Sequence, residues 1–217
     1  EHIPHPRIPL PVGLYRDQHQ PRDNSMGINL ANDDALRDLA AAMNNAGAGR
    51  WTAAPLVPGA QPSGDRLAVT NPADRREVVG HWLPADAATV ERALANAVAA
   101  QPGWDATPAG SRAAILEHAA DLLEARLPAY MAMCTKEAGK TLADGIAEVR
   151  EAVDFLRYYA LQAREHFAPI ALPGPTGEAN QLQLAGRGVF ACISPWNFPL
   201  AIFTGQIAAA LAAGNTV

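Results

Sequence analysis

The residues with the clearest capacity for chemistry lie in the turn Ser194–Pro199. The turn follows a continuous apolar run of strand length, residues 189–194, which predicts a buried parallel strand. Open α/β sheets bind their ligands at the carboxyl ends of such strands. Asn197 lies between Pro195 and Pro199, whose rings restrict the backbone. Its neutral amide is therefore a candidate donor to an oxyanion that develops during a reaction.

The same turn also has a purely structural interpretation. A helix is predicted directly after Pro199, and asparagine is a common residue at helix N-termini. Asn197 would then only cap that helix, while Trp196 and Phe198 would fill the core. Spacing alone favours this simpler interpretation, and it does not exclude the other.

A second pattern, Gly186–Ala191, matches the dinucleotide fingerprint G-x-G-x-x-A. In that motif the glycines follow a strand and open a helix, so that the helix N-terminus meets the pyrophosphate. Here the glycines precede the predicted strand. The favoured interpretation is a turn that leads into the strand.

The cysteines and histidines predict neither a nucleophile nor a metal site. Cys192 falls inside the apolar run and Cys134 on an alanine-rich helix, so both are interpreted as packing residues. The six histidines show no metal-ligand spacing. Two cysteines cannot form a disulfide framework, which favours a reducing, cytoplasmic location.

Composition excludes several classes of protein. With 49% hydrophobic residues, the 217-residue chain can bury a core. A net charge of -5 without any basic block argues against nucleic acid as a partner. The longest apolar stretch, residues 198–214, is interrupted by polar residues and shorter than the roughly 20 residues of a membrane span. The chain lacks an initiator methionine and a signal-peptide pattern, and we expect it to start inside a longer protein.

Proline and glycine divide the chain. They predict an interdomain linker or arm over residues 1–64 with one short helix capped by Asn32, and a second unit over residues 65–217. A β-hairpin is expected over residues 67–82. Residues 168–187 are expected to form a protruding strand pair. After them, the pattern indicates a strand, a turn, a helix and the start of another strand.

Between these strands the pattern is helical. Asp86 is expected to cap a helix that Pro102 stops, and Thr141 to cap a long helix ending near His166. Another helix is expected to start at Thr107–Pro108. The predicted inner face of the helix after Asp86 consists of Val90, Leu94, Ala97 and Val98. The predicted inner face of the helix after Thr107–Pro108 consists of Ile115, Leu116, Ala119, Leu122 and Leu123.

Several motifs carry a resemblance to a known family. The run Cys192–Leu200, continued by Ala212–Asn215, resembles the signature stretch of the aldehyde dehydrogenase superfamily. Motifs similar to that family's N-terminal half are Asn71–Ala73, Trp104, Arg112, Lys136–Thr141 and Glu148–Tyr159. The last two, with Phe203–Leu211, resemble the bifunctional branch in which a proline dehydrogenase barrel precedes the aldehyde dehydrogenase half. Arg22–Gly27 and Leu30–Asn32 resemble the stretch that joins the two halves.

The resemblance implies roles for single residues. Asn197 matches the family's oxyanion-hole asparagine, and Phe198 matches one wall of the aldehyde pocket. Glu151 matches a helix carboxylate near the semialdehyde site, although a solvated helix charge explains it equally well. The positions that match the lining of the NAD site are Ile193, Pro195 and Trp196.

The resemblance also implies a fold and a function. The fold is α/β, the N-terminal part of an aldehyde dehydrogenase: a helical layer plus the start of a Rossmann-like parallel sheet, preceded by the linker arm. The implied reaction is NAD-dependent oxidation of L-glutamate-γ-semialdehyde through a cysteine thiohemiacetal, with FAD bound in the proline dehydrogenase part, outside this segment. Residues 168–187 would form an oligomerisation flap of a homo-oligomer.

Two other functions stay open. One is an aldehyde dehydrogenase with another substrate and NAD or NADP, and the other is a truncated, non-catalytic scaffold of the same fold. The family's nucleophile and general-base glutamate would lie beyond Val217. These 217 residues alone are therefore expected to be inactive.

Overall fold

The computed structural model describes residues 5–18, 20–49, 51–61 and 63–217. Residues 1–4 of the predicted arm lie outside this part of the chain. The helices are two short 3-10 helices, Pro11–Gly13 and Arg16–Gln18, and α1 (Asp33–Ala46), α2 (Ala87–Asp105), α3 (Ala109–Ala125), α4 (Leu127–Ala138), α5 (Leu142–His166) and α6 (Ala201–Ala212). The strands are β1 (Trp51–Ala53), β2 (Leu67–Thr70), β3 (Val78–Trp82), β4 (Ile170–Leu172) and β5 (Asn180–Leu182).

Helix α5 is the central element of the fold. Its N-terminus is capped as predicted, because the Thr141 hydroxyl accepts a hydrogen bond from the amide of Asp144 at 3.2 Å. Helices α3, α4 and α6 pack against it. Its apolar stripe is buried, with Val149 and Val153 completely enclosed. This helix therefore fixes the positions of its three neighbours.

Two small sheets flank the helices. Strand β3 pairs antiparallel with β2, which confirms the predicted hairpin, and parallel with β1. Strands β4 and β5 form a separate antiparallel pair whose residues are all exposed. The predicted strand pair within 168–187 is thus present.

Parts of the predicted arm belong to the folded body. Leu39 and Met43 of α1 join the main hydrophobic core, where α1 packs against α4. Ser25 is also buried and bonds to Asp154 of α5. The division of the chain at residue 64 stays a prediction.

The prediction for α2 was wrong at its end and on its face. The helix continues past Pro102 to Asp105, because a proline removes only one helical hydrogen bond and the indole of Trp104 donates to the carbonyl of Leu211 at 3.0 Å. The predicted inner residues Val90, Leu94 and Val98 are exposed. Within the described ranges α2 is held through other positions, because Thr89 is buried and the carbonyl of Ala97 accepts a hydrogen bond from Thr216 at 2.8 Å, so its apolar stripe is left uncovered. The predicted inner face of α3 is also partly wrong, because Ile115 and Leu122 are exposed while Leu116 is buried.

The apolar run 189–194 is not a buried strand in this structure. Its only pairing among the described residues is an isolated parallel bridge between Val189 and Thr216. Phe190 and Ile193 are exposed. A parallel strand needs hydrogen-bonded neighbours and a layer on each face, and within the described residues this segment has α6 and the two residues at 216–217.

Candidate active site

The turn that carries Asn197 is fixed by the start of α6. This helix begins at Ala201 and receives no cap from a neighbouring side chain of its own segment. Glu148 of α5 supplies the cap instead. Its Oε2 atom accepts hydrogen bonds from the amides of Leu200, at 3.3 Å, and Ala201, at 2.9 Å. The interpretation of Asn197 as the cap of this helix is therefore wrong.

Glu148 belongs to a buried ion pair. Only 1% of its side chain is exposed, and its Oε1 atom lies 3.0 Å from Nζ of Lys140, whose side chain is 15% exposed. The same ammonium lies 4.5 Å from the centre of the Phe198 ring, which is a cation–π distance. The pair thus contacts the chain directly after Asn197, at Phe198 and at the start of α6.

The sequence assigned no role to Lys140 or Glu148, although both occur in motifs that carry the family resemblance. The one usable signal was the position of Glu148 next to the apolar stripe of α5, between Ile146 and Val149. A carboxylate there is buried with the stripe unless the helix rotates, and a buried carboxylate requires a partner.

Asn197 itself is exposed, and no hydrogen bond to another described residue engages its amide. Trp196, beside it, is 87% exposed. Since the cap of α6 comes from α5, the amide of Asn197 is left available for a ligand. An available N–H donor is one requirement for the stabilisation of an oxyanion.

An apolar cleft lies next to this turn, between residues 190–193 and α6. It has a volume of about 630 Å³ and is lined mainly by alanines with Phe190 and Ile193. The amide of Gln206 donates to the carbonyl of Ile193 at 3.2 Å and ties the two walls together. Its size and lining suit a cofactor or another small molecule. Of the three residues predicted to line the NAD site, Ile193 lines this cleft, whereas Pro195 and Trp196 lie in the adjoining turn.

Five of the six predicted site residues lie within the single segment 193–198, and Glu151 is the exception. Glu151 is exposed on α5, three positions beyond Glu148, so the two carboxylates project from nearly the same side of the helix. No bond joins Glu151 to the turn among the described residues. Its assignment to the substrate site and its interpretation as a solvated charge both remain open.

The Gly186–Ala191 segment is irregular, with a bend at Gly188 that leads into the bridge at Val189. The amide of Gly186 donates to Asp105 at 2.7 Å, and that of Gly188 to the side chain of Asn215 at 3.0 Å. A Cβ atom on Gly186 would lie 2.4 Å from the carbonyl oxygen of Gly214, so only glycine permits this close approach. The glycines do not open a helix.

The buried thiol is not a nucleophile. Burial, with a smaller contribution from the negative charge of Glu148, raises the pKa of Cys134 to about 11. The thiol is therefore protonated at neutral pH. Cys192 is half-buried in the wall of the cleft.

Metal and membrane features can be assessed for the described residues only. Within them no cluster of His, Cys, Asp and Glu side chains has the arrangement of a metal site, and His2 and His19 lie outside this range. No helix in the same part of the chain has both the length and the apolar character required to cross a bilayer.

An available amide just before a helix, beside an apolar cleft, is typical of α/β proteins that bind ligands at a sheet edge. The chain belongs to the aldehyde dehydrogenase family, whose family model matches residues 60–217. This membership confirms the predicted fold class.

Within this family, the chain is similar to relatives of two kinds. The chain is 47% identical over 215 residues to the bifunctional protein PutA of Klebsiella aerogenes, covering 99% of this chain and 15% of that protein. It is 40% identical over 153 residues to the 1-pyrroline-5-carboxylate dehydrogenase of Anoxybacillus flavithermus, covering 70% of this chain and 30% of the relative. A crystal structure of bifunctional proline utilization A superposes with a TM-score of 0.74 at 43% identity, covering 97% of this chain and 18% of that one. The chain thus spans a small part of the proteins it matches.

Proposed function

We propose that this chain is part of a longer bifunctional enzyme of the PutA type. In that protein it would contribute to NAD-dependent oxidation of L-glutamate-γ-semialdehyde to glutamate, the second step of proline breakdown. The similarity to PutA over nearly the whole chain supports this proposal. The observation that carries it is the available amide of Asn197 in a turn whose helix is capped by Glu148.

Asn197 is proposed to stabilise the reaction's oxyanion. When a thiolate adds to an aldehyde, the carbonyl oxygen gains negative charge, and a rigid neutral donor stabilises that charge most where water is excluded. Neither cysteine of this chain suits the attack, because Cys134 is protonated and Cys192 lies in the cleft wall. The attacking thiolate is therefore assigned to the remainder of the longer protein.

The cleft is proposed to accept part of NAD, which supplies the hydride acceptor when bound. Ile193, in the cleft wall, and Pro195 and Trp196, in the adjoining turn, would contact it, and the exposed apolar surfaces of Ile193 and Trp196 suit the faces of a nucleotide. FAD is proposed for the proline dehydrogenase part of the longer protein, outside these residues. The choice of NAD over NADP rests on the family resemblance alone.

Phe198 and Glu151 are proposed to contribute to the aldehyde site, the ring as an apolar wall and the carboxylate as a partner for the substrate's ammonium group. The exposed β4–β5 pair is proposed to mediate homo-oligomer formation, because unpaired edges with apolar side chains favour association. A cytoplasmic location is proposed from the two unpaired cysteines.

The test is NAD reduction by the longer protein with three aldehydes at equal concentration: L-glutamate-γ-semialdehyde, succinic semialdehyde and propionaldehyde. The proposal expects the highest kcat/KM with the first. A higher value for another aldehyde would instead support a dehydrogenase of different specificity. Complete inactivity with all three, in a protein that is folded, would support the scaffold.

A further inference from the structure

The ion pair of Lys140 and Glu148 adjoins the proposed site and contacts one of its residues, Phe198, through the Lys140 ammonium. We infer that it is a positioning pair, which fixes the position and orientation of the turn that carries Asn197. This inference rests on the proposed function for its catalytic consequence. Its structural content, the position of the turn, can be measured independently.

The start of α6 explains why a carboxylate is needed. The first amides of a helix have no partner within the helix, and their aligned dipoles leave a partial positive charge there. Pro199 has no amide hydrogen, and Leu200 provides no side-chain acceptor. Glu148 therefore satisfies two amides and neutralises the helix end from α5, at distances of 3.3 and 2.9 Å.

Lys140 provides the counter-charge for this carboxylate, only 1% of whose side chain is exposed. Removal of one member of a buried ion pair leaves the other charge uncompensated, which is strongly destabilising. The ammonium of Lys140 lies 3.0 Å from Oε1 and also contacts the face of Phe198. One cation therefore supports both the helix cap and the aromatic ring that follows Asn197.

Both anchors follow Asn197 closely along the chain. Phe198, one residue later, rests on Lys140, and Leu200 and Ala201 are bonded to Glu148. Asn197 has no hydrogen bond of its own to another described residue. Its position depends on these neighbours, so loss of the pair should displace its amide while leaving its chemistry intact.

The experiment uses the longer protein with Glu148→Gln, Lys140→Met and the double variant Lys140→Met/Glu148→Met. The matched control is Glu165→Gln, which neutralises an exposed carboxylate in the last turn of α5. Each variant is characterised by kcat and KM, by its thermal midpoint and by the ¹⁹F resonance of 5-fluorotryptophan at Trp196, assigned by comparison with Trp196→Phe. Trp196 reports the position of the turn without requiring turnover.

Glu148→Gln should lower kcat about 100-fold, as expected for a donor displaced by about 1 Å, and leave KM for the aldehyde within a few-fold. It should also shift the Trp196 resonance and lower the thermal midpoint, because Lys140 loses its counter-charge. The double variant replaces the buried ions by apolar side chains. Its midpoint should return close to that of the unmodified protein, while kcat stays low.

The double variant separates positioning from stability. A merely structural pair would give normal kcat once the midpoint is restored, and that result would overturn the inference. An unchanged Trp196 resonance in the double variant would overturn it as well, even if Glu148→Gln fails to fold. If the unmodified protein has no dehydrogenase activity, the proposed function fails, and the Trp196 resonance alone decides whether the pair positions the turn.

Discussion

Replacing Asn197 by alanine should separate the effect on catalysis from the effect on stability. A helix cap of this kind contributes about 1 kcal/mol, so its removal would lower the free energy of unfolding by that amount. In the structure, however, Glu148 caps α6, and Asn197 is exposed with no hydrogen-bond partner among the described residues. The stability change for Asn197→Ala should therefore stay within about 0.5 kcal/mol, as for other surface positions.

The catalytic effect should be much larger. Removal of one oxyanion donor lowers kcat by about 100- to 1000-fold, equivalent to about 2.7–4 kcal/mol of transition-state stabilisation. Asn197 does not lie among the residues that line the cleft, so binding of NAD should be retained. Asn197→Ala should therefore give a folded, NAD-binding protein with very low turnover.

Three measurements on the longer protein test this: kcat with the semialdehyde, the affinity for NAD by fluorescence quenching, and the thermal midpoint. Asn45→Ala is a suitable control, because Asn45 is an exposed asparagine on α1, remote in sequence from the turn. Turnover within a few-fold of the unmodified enzyme would refute the oxyanion role. A decrease of about 1 kcal/mol in the free energy of unfolding, with normal turnover, would show that Asn197 has a structural role instead.

Three further predictions concern the rest of the chain. Deletion of residues 172–184 should shift the mass in sedimentation toward the monomer, and an unchanged oligomer would disprove the role of the β4–β5 pair. Ser25→Ala removes a 2.6 Å bond to Asp154 and should cost about 2 kcal/mol, seen as roughly 30-fold faster hydrogen exchange at the amide of residue 25; unchanged protection would refute it. Because the pKa of Cys134 is raised from 9.0 to about 11, the folded state holds its proton more tightly than the unfolded state, and stability should fall as pH rises from about 9 to 11. Cys134→Ala should abolish that loss.

Local signals in the sequence were sufficient for the elements that they specify. Thr141 caps α5 because its hydroxyl and the amide of Asp144 lie within one turn. The hairpin of β2 and β3 forms around the Asn71–Asp74 turn for a similarly local reason, since the side chain of Asn71 accepts from the amide of Ala73 at 2.9 Å. Each of these interactions spans a few residues and can be predicted from their order.

Helix periodicity predicted an apolar stripe correctly on α2 and misjudged its burial. Val90, Leu94 and Val98 do share one face, but a periodic pattern does not show which element covers that face. On α5 the stripe is covered by α3, α4 and α6. The same kind of pattern is buried in one helix and exposed in the other, because burial depends on neighbours that the pattern does not identify.

The candidate site shows the same limit at the level of a single hydrogen bond. Local reasoning placed Asn197 at the start of α6 because asparagine at such a position is commonly a cap. The cap comes from Glu148, more than fifty residues earlier, and such a contact is set by the packing of α5 against α6. Gly205 permits that packing, since a Cβ atom there would lie 2.9 Å from the ring of Phe155. A close helix pair thus brings a carboxylate to the helix end, and the amide of Asn197, which precedes that helix, has no partner among the described residues and is available to a ligand.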